Sequence, residues 1–125
     1  MEQVYYKRAF SLIELLISLA VGVILASIAI PSYQDFTVSA RRKNAQTELL
    51  QLHLQQQAFF LQQQRFANAN EISFPEPEYY FISMTTPSST EFVIQANALG
   101  GQKQNELCDT LSIDQNLNRE PKVCW

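Results

Sequence analysis

A lone carboxylate stands where hydrocarbon would exclude it. From Ala9 to Ile30 every residue is apolar or small except Glu14, and Pro31 follows. As a helix rising ~1.5 Å per residue this run spans roughly 30 Å, about one bilayer core. An ionisable group in such a segment costs at least ~2.5 to 3.5 kcal/mol on insertion scales and calls for a partner or a function. The second candidate chemistry is thiol oxidation. Cys108 and Cys124 form an even pair beyond the apolar run, which reads as a disulfide in an oxidising compartment, with two free thiols as the alternative. Closing a loop of that length contributes ~3 kcal/mol in the chain-entropy description. Together with the single His53 they are too few for a structural zinc site. His53 reads as a packing or solvent-edge residue, no Ser, His and acid spacing suggests a nucleophile, and three glycines form no phosphate loop. The residues therefore point to no enzyme, no cofactor and no metal.

The elements that must position these groups follow from periodicity. Met1 to Ala9 is a short polar stretch and Phe10 to Ile30 is apolar helix. Pro31 should kink the helix without ending it, because Tyr33, Phe36, Val38, Ala40 and Ala45 continue the pattern, which carries the helix to about Gln64. On a helical wheel Val38, Ala45, Leu49, Leu52, Phe59 and Phe60 share one stripe, and Phe36, Leu50, Leu54 and Leu61 form a second. Glu48, Gln51, Gln55 and Gln62 take the polar face. The second stripe is expected to face other subunits. Arg65 to Glu78, with Pro75 and Pro77, is an irregular connection. Strand-like runs follow at Tyr79 to Thr85, Glu91 to Ala98 and Cys108 to Asp114, the first two joined by a turn over Thr86 to Thr90. The expected fold class is α+β: a long N-terminal helix, apolar in its first half and amphipathic in its second, packed on a small antiparallel sheet of three or four strands.

Orientation comes from the flanks. Lys7 and Arg8 precede the apolar run and hold that end in the cytoplasm, sending the residues beyond Pro31 across the membrane. The triplet Arg41, Arg42 and Lys43 on the far side runs against that rule. The disulfide favours the outward placement.

The run Lys7-Arg8-Ala9-Phe10-Ser11-Leu12-Ile13-Glu14-Leu15-Leu16-Ile17 resembles the processing site of type IV prepilins, in which a leader peptidase cuts before a Phe and methylates the new amino group. The resemblance implies cleavage between Ala9 and Phe10 and N-methylation of Phe10, and it puts Glu14 at the family's acidic position. Pro31 matches the family's helix kink. The likeness continues in Tyr33-Gln34-Asp35-Phe36, in Phe59-Phe60 followed by Arg65-Phe66-Ala67, in Cys108-Asp109-Thr110-Leu111 and in the closing Cys124-Trp125. That ending is similar to minor pilins of type IVa systems, of the PilE kind. Ala9 stands where the family usually has Gly.

The resemblance implies a leader over 1–9, a transmembrane and filament-core half-helix over 10–31, and a soluble periplasmic head over 32–125 stapled by a Cys108–Cys124 disulfide. The implied role is that of a minor pilin in a type IV pilus, moving from the bacterial inner membrane into an extracellular filament that serves twitching motility, adhesion or DNA uptake. Implied partners are major and other minor pilins, the prepilin peptidase, the inner-membrane assembly machinery and, before assembly, the membrane. The new amino group of Phe10 would meet Glu14 of a neighbouring chain, an ion pair that offsets part of the desolvation cost and sets axial register. The alternative for Glu14 is snorkelling toward Arg8. A major pilin and a type II secretion pseudopilin are the alternatives of the same class.

A DNA receptor at the pilus tip is the alternative of another class. From Arg65 onward there are four basic residues (Arg65, Lys103, Arg119 and Lys122) against eight acidic ones, a net charge of −4 that repels phosphate. A local patch of Arg119 and Lys122 beside Trp125 is the exception. The same acidic residues would suit calcium, as in pseudopilins, but the cysteine pair already closes that loop.

Overall fold

The structure is a computed structural model that describes residues 10–103 and 107–125. Lys7, Arg8 and Ala9, and with Ala9 one side of the expected cleavage site, lie outside the described residues. One helix, α1 (Leu12–Gln63), accounts for 52 residues and contains Pro31 without ending there. It stops one residue before the expected limit. Gln64 adopts a left-handed φ of 56° while its amide donates to the Phe60 carbonyl at 2.8 Å, which closes the last turn as a C-terminal cap does.

The chain divides into two compact units at Thr37/Val38. In the first, every described residue from Phe10 to Phe36 is exposed. Three of its hydroxyls turn back on the helix, Ser18 Oγ donating to the Glu14 carbonyl at 2.8 Å, Ser27 Oγ to the Ile24 carbonyl at 2.7 Å and Thr37 Oγ1 to the Tyr33 carbonyl at 2.8 Å. Such bonds satisfy the polar side chains without water.

The second unit, Val38–Trp125, holds the core. Its sheet comprises β1 (Tyr80–Ser88), β2 (Glu91–Ala98), β3 (Thr110–Asp114) and β4 (Arg119–Glu120), all antiparallel and in sequence order. Alternation puts Tyr80, Ile82 and Met84 of β1, Phe92, Ile94, Ala96 and Ala98 of β2, and Leu111 and Ile113 of β3 inward. They meet Ala45, Leu49 and Leu52 of α1. The first expected stripe is thus the packed one, although its Val38, Phe59 and Phe60 are only half-buried. In the second stripe Leu54 and Leu61 are exposed at 67% and 78%, as expected of a face left for other molecules, whereas Leu50 packs against the core.

Two strand limits differ from expectation. β1 begins at Tyr80 and runs on to Ser88, shortening the turn, because a register shift between Thr85 and Ser88 carries the strand through Pro87; an edge strand tolerates the missing amide. β3 starts at Thr110, since Cys108 is committed to a disulfide with Cys124, Cα atoms 5.6 Å apart. The short β4 is the fourth strand that the range of three to four allowed.

Candidate functional site

Glu14 sits in the first turn of α1, where a carboxylate faces unpaired backbone amides. Among the described residues it is in no ion pair; the ion pair found there joins Arg65 to Glu71. Phe10, just before the helix, is 79% exposed. From Leu12 to Ile30 the helix thus presents one anion on an otherwise apolar or small-residue surface, with no ion-pair partner for it among the described residues.

The head is tied together around the disulfide. Gln46 Nε2 of α1 donates to the Cys124 carbonyl at 2.6 Å, linking positions 78 residues apart. Beside it a short 3-10 turn, Lys122–Cys124, leads into Trp125. The Arg119 guanidinium lies 5.4 Å from the Trp125 ring centroid, and Trp125 Nε1 donates to the Glu120 carbonyl at 3.4 Å. Arg119 of β4 is thus paired with the Trp125 ring, a cation on an aromatic face, and Lys122 lies in the turn between them in sequence. The net-negative count over the whole stretch conceals this local arrangement.

His53 is buried, 5.5 Å from the Phe92 ring centroid, and its Nδ1 has no hydrogen-bond partner. Burial holds its pKa below the usual histidine value, the Asp114 backbone and charge opposing that shift. It lines an open groove of about 520 Å³ with Leu50, Leu54, Gln57, Gln115, Asn116 and Leu117. The groove's far lip is a turn that the sequence reading passed over. Asp114 Oδ1 accepts from the Asn116 and Asn118 amides at 2.8 and 2.9 Å, and its Oδ2 accepts from Asn118 Nδ2 at 2.7 Å. Those bonds hold Leu117 at a φ of 64°. The Asp-x-Asn-x-Asn spacing was the available signal for it.

Three further placements escaped sequence reasoning. Gln56, in the middle of the Gln run, is fully buried. Arg65 pairs with Glu71 through two bonds of 2.8 and 2.7 Å, and this pairing, with the Asn68 amide, lowers the Glu71 pKa to about 2. The Arg41 guanidinium lies 3.9 Å over the Tyr79 ring, which gives one member of the objectionable basic triplet a partner within the head. Among the described residues no group of three or more His, Cys, Asp or Glu could hold a metal ion.

This fold, one long helix with its second half on a four-stranded antiparallel meander, is that of a type IV pilin. A type IV pilin from Shewanella oneidensis superposes with a TM-score of 0.63 at 24% identity, over 70% of this chain and 97% of that one. Residues 31–112 match the family described as "Type IV minor pilin ComP, DNA uptake sequence receptor", more than half of the chain, so the chain belongs to that family. Residues 5–30 match the prokaryotic N-terminal methylation motif. A curated relative, the type IV major pilin protein PilA of Myxococcus xanthus (strain DK1622), is 43% identical over 68 residues. That match covers 54% of this chain and 31% of the relative's length.

Proposed function

We propose that the chain is a minor pilin: stored in the bacterial inner membrane, cut between Ala9 and Phe10, methylated on Phe10, and assembled into or beneath a type IV pilus. The observation that carries this reading is the first half of α1, exposed throughout from Leu12 to Ile30 with Glu14 as its one charge. A surface of that kind stands in lipid or among like helices. In the filament the Phe10 amino group of one chain meets Glu14 of another, and Pro31 adapts the helix between core and head. Partners on this reading are major and minor pilins, the prepilin peptidase and the assembly machinery. Mass spectrometry of the mature protein tests the processing, with a methylated N-terminal Phe10 expected and an intact Met1 in cells with active peptidase overturning it. Glu14→Val should insert and be cleaved yet be missing from sheared filaments. Normal incorporation would defeat the pairing. Trace abundance in purified filaments is expected, and a dominant band would make this the major pilin.

A second reading, that the head receives DNA, is favoured by the family's description and by the pairing of Arg119 with the Trp125 ring, with Lys122 near them in the chain. Two cations and an aromatic face suit phosphate and a base edge or ring. Retardation of labelled double-stranded DNA by residues 32–125 at physiological salt is expected, weakened by Arg119→Ala with Lys122→Ala. An unshifted band at micromolar head would sink it.

A further inference from the structure

The apolar half-helix is bracketed by aromatic residues. Between Phe10 and Tyr33 there is none, and Phe36 follows one turn later. Tyr33 and Phe36 are each 72% exposed, and being three apart they share a face of α1. Gln34 and Asp35 between them are polar, so hydrocarbon cannot extend past this point without burying a charge. From Leu12 to Ile30 the helix runs ~28 Å, close to one bilayer core, and Tyr33 and Phe36 stand ~4.5 and ~9 Å further along the axis. The polar interfacial layer begins near Ile30 and is roughly 5 to 7 Å deep on each side, and because helical side chains lean toward the helix N-terminus the Phe36 ring reaches back from its Cα toward the outer edge of that layer. Rings with an apolar body gain from that layer over bulk water, and tyrosine in addition keeps its hydroxyl hydrated.

We infer that Tyr33 and Phe36 form an interfacial anchor that seats the stored protein at a fixed depth, their rings among the phospholipid glycerol and headgroup atoms of the leaflet facing the head. The inference rests on the membrane storage proposed above. The depth has a structural use. Pro31 has no amide hydrogen, so the Ser27 carbonyl lacks its helical donor, and an unsatisfied carbonyl is costly in hydrocarbon. Holding Tyr33 at the interface keeps the Ser27 carbonyl within a turn of polar headgroups and water.

The test uses the full chain in vesicles of phosphatidylethanolamine and phosphatidylglycerol whose acyl chains are brominated near the headgroup or near the chain end. Trp125 is the protein's one tryptophan and supplies the background emission. Tyr33→Trp and Phe36→Trp should each add emission quenched at least about twofold more by the shallow bromine than by the deep one, as interfacial aromatics are. Ile24→Trp should show the reverse. If Ile24→Trp is quenched deeply while positions 33 and 36 respond only to aqueous iodide, the anchor is overturned and membrane storage stands. If position 24 also responds only to iodide, both are overturned. Deep quenching at 33 and 36 places them in the core and overturns the anchor as well.

Discussion

Gln56 and Ala67 exchange two hydrogen bonds inside the head, Gln56 Nε2 donating to the Ala67 carbonyl at 2.9 Å and the Ala67 amide donating to Gln56 Oε1 at 2.8 Å. Both residues are fully buried. A side-chain amide here does what a neighbouring strand would do, satisfying the backbone of the connection where it crosses the helix. Gln56→Leu leaves both Ala67 groups without partners, at ~1 to 3 kcal/mol for each buried group. Urea unfolding of the head should show a loss of about 3 kcal/mol from Gln56→Leu, while Gln55→Leu on the exposed face stays within about 0.5 kcal/mol of the original.

The staple at Cys108–Cys124 spans a separation of 16 residues. Reduction, or Cys108→Ser with Cys124→Ser, should cost ~3 kcal/mol in the chain-entropy description. The measurement is the urea midpoint with and without dithiothreitol. The double serine variant should be insensitive to the reductant.

His53 makes stability depend on pH in one direction. Its pKa in the fold is lowered from the ordinary 6.5 by burial, so the unfolded chain binds the proton more readily. The contribution is present in full above 6.5 and is lost as pH falls through the folded value, so the head should weaken on acidification from pH about 7 toward 5. His53→Leu should flatten that slope in thermal melts taken across the same window. An unchanged slope would assign it to other groups.

Glu71 offers a local readout in a more acidic window. With Arg65 and the Asn68 amide bound, its carboxyl titrates near 2 instead of 4.5. Its stabilising effect is present above 4.5 and disappears as pH falls toward 2. Arg65→Ala should move the titration midpoint of the Glu71 carbon resonance up from about 2 toward 4.5, stopping short of it because the Asn68 amide still donates to the carboxylate. The pair is exposed, so the melting temperature at pH 7 should hardly move.

What the sequence made legible was whatever depends on periodicity and chain chemistry. The apolar run, the helix through Pro31, the Glu91–Ala98 strand and the cysteine pair all reach the structure as read. What escaped depends on individual side-chain placement. Gln56 lies in a polar run and is distinguished from Gln55 only by the angle at which it meets Ala67. The extension of β1 through Pro87 depends on a register shift that no residue pattern announces. The patch of Arg119 and Lys122 beside Trp125 was legible from their nearness in the chain, and the structure adds the placement of the Arg119 guanidinium over the Trp125 ring. The chemistry of Ala9, Phe10 and Glu14 is carried by motif, and the fold supplies only the exposed helix on which it would act.

The sheet's order matches the order of its strands in the chain, and this has a kinetic consequence. Each strand joins its predecessor by closing a short loop, so the meander assembles by cheap local steps. The bond from Gln46 to the Cys124 carbonyl instead bridges 78 residues, and closing a loop of that length costs roughly 2 kcal/mol more than closing a short one. The helix should therefore seal against the C-terminal turn last, with hydrogen-exchange protection at the contact of Gln46 with that turn lagging behind the growth of far-ultraviolet ellipticity when the head refolds. A head that forms in that sequence is closed against its helix only at the end, which makes the unsealed meander the species open to proteolysis.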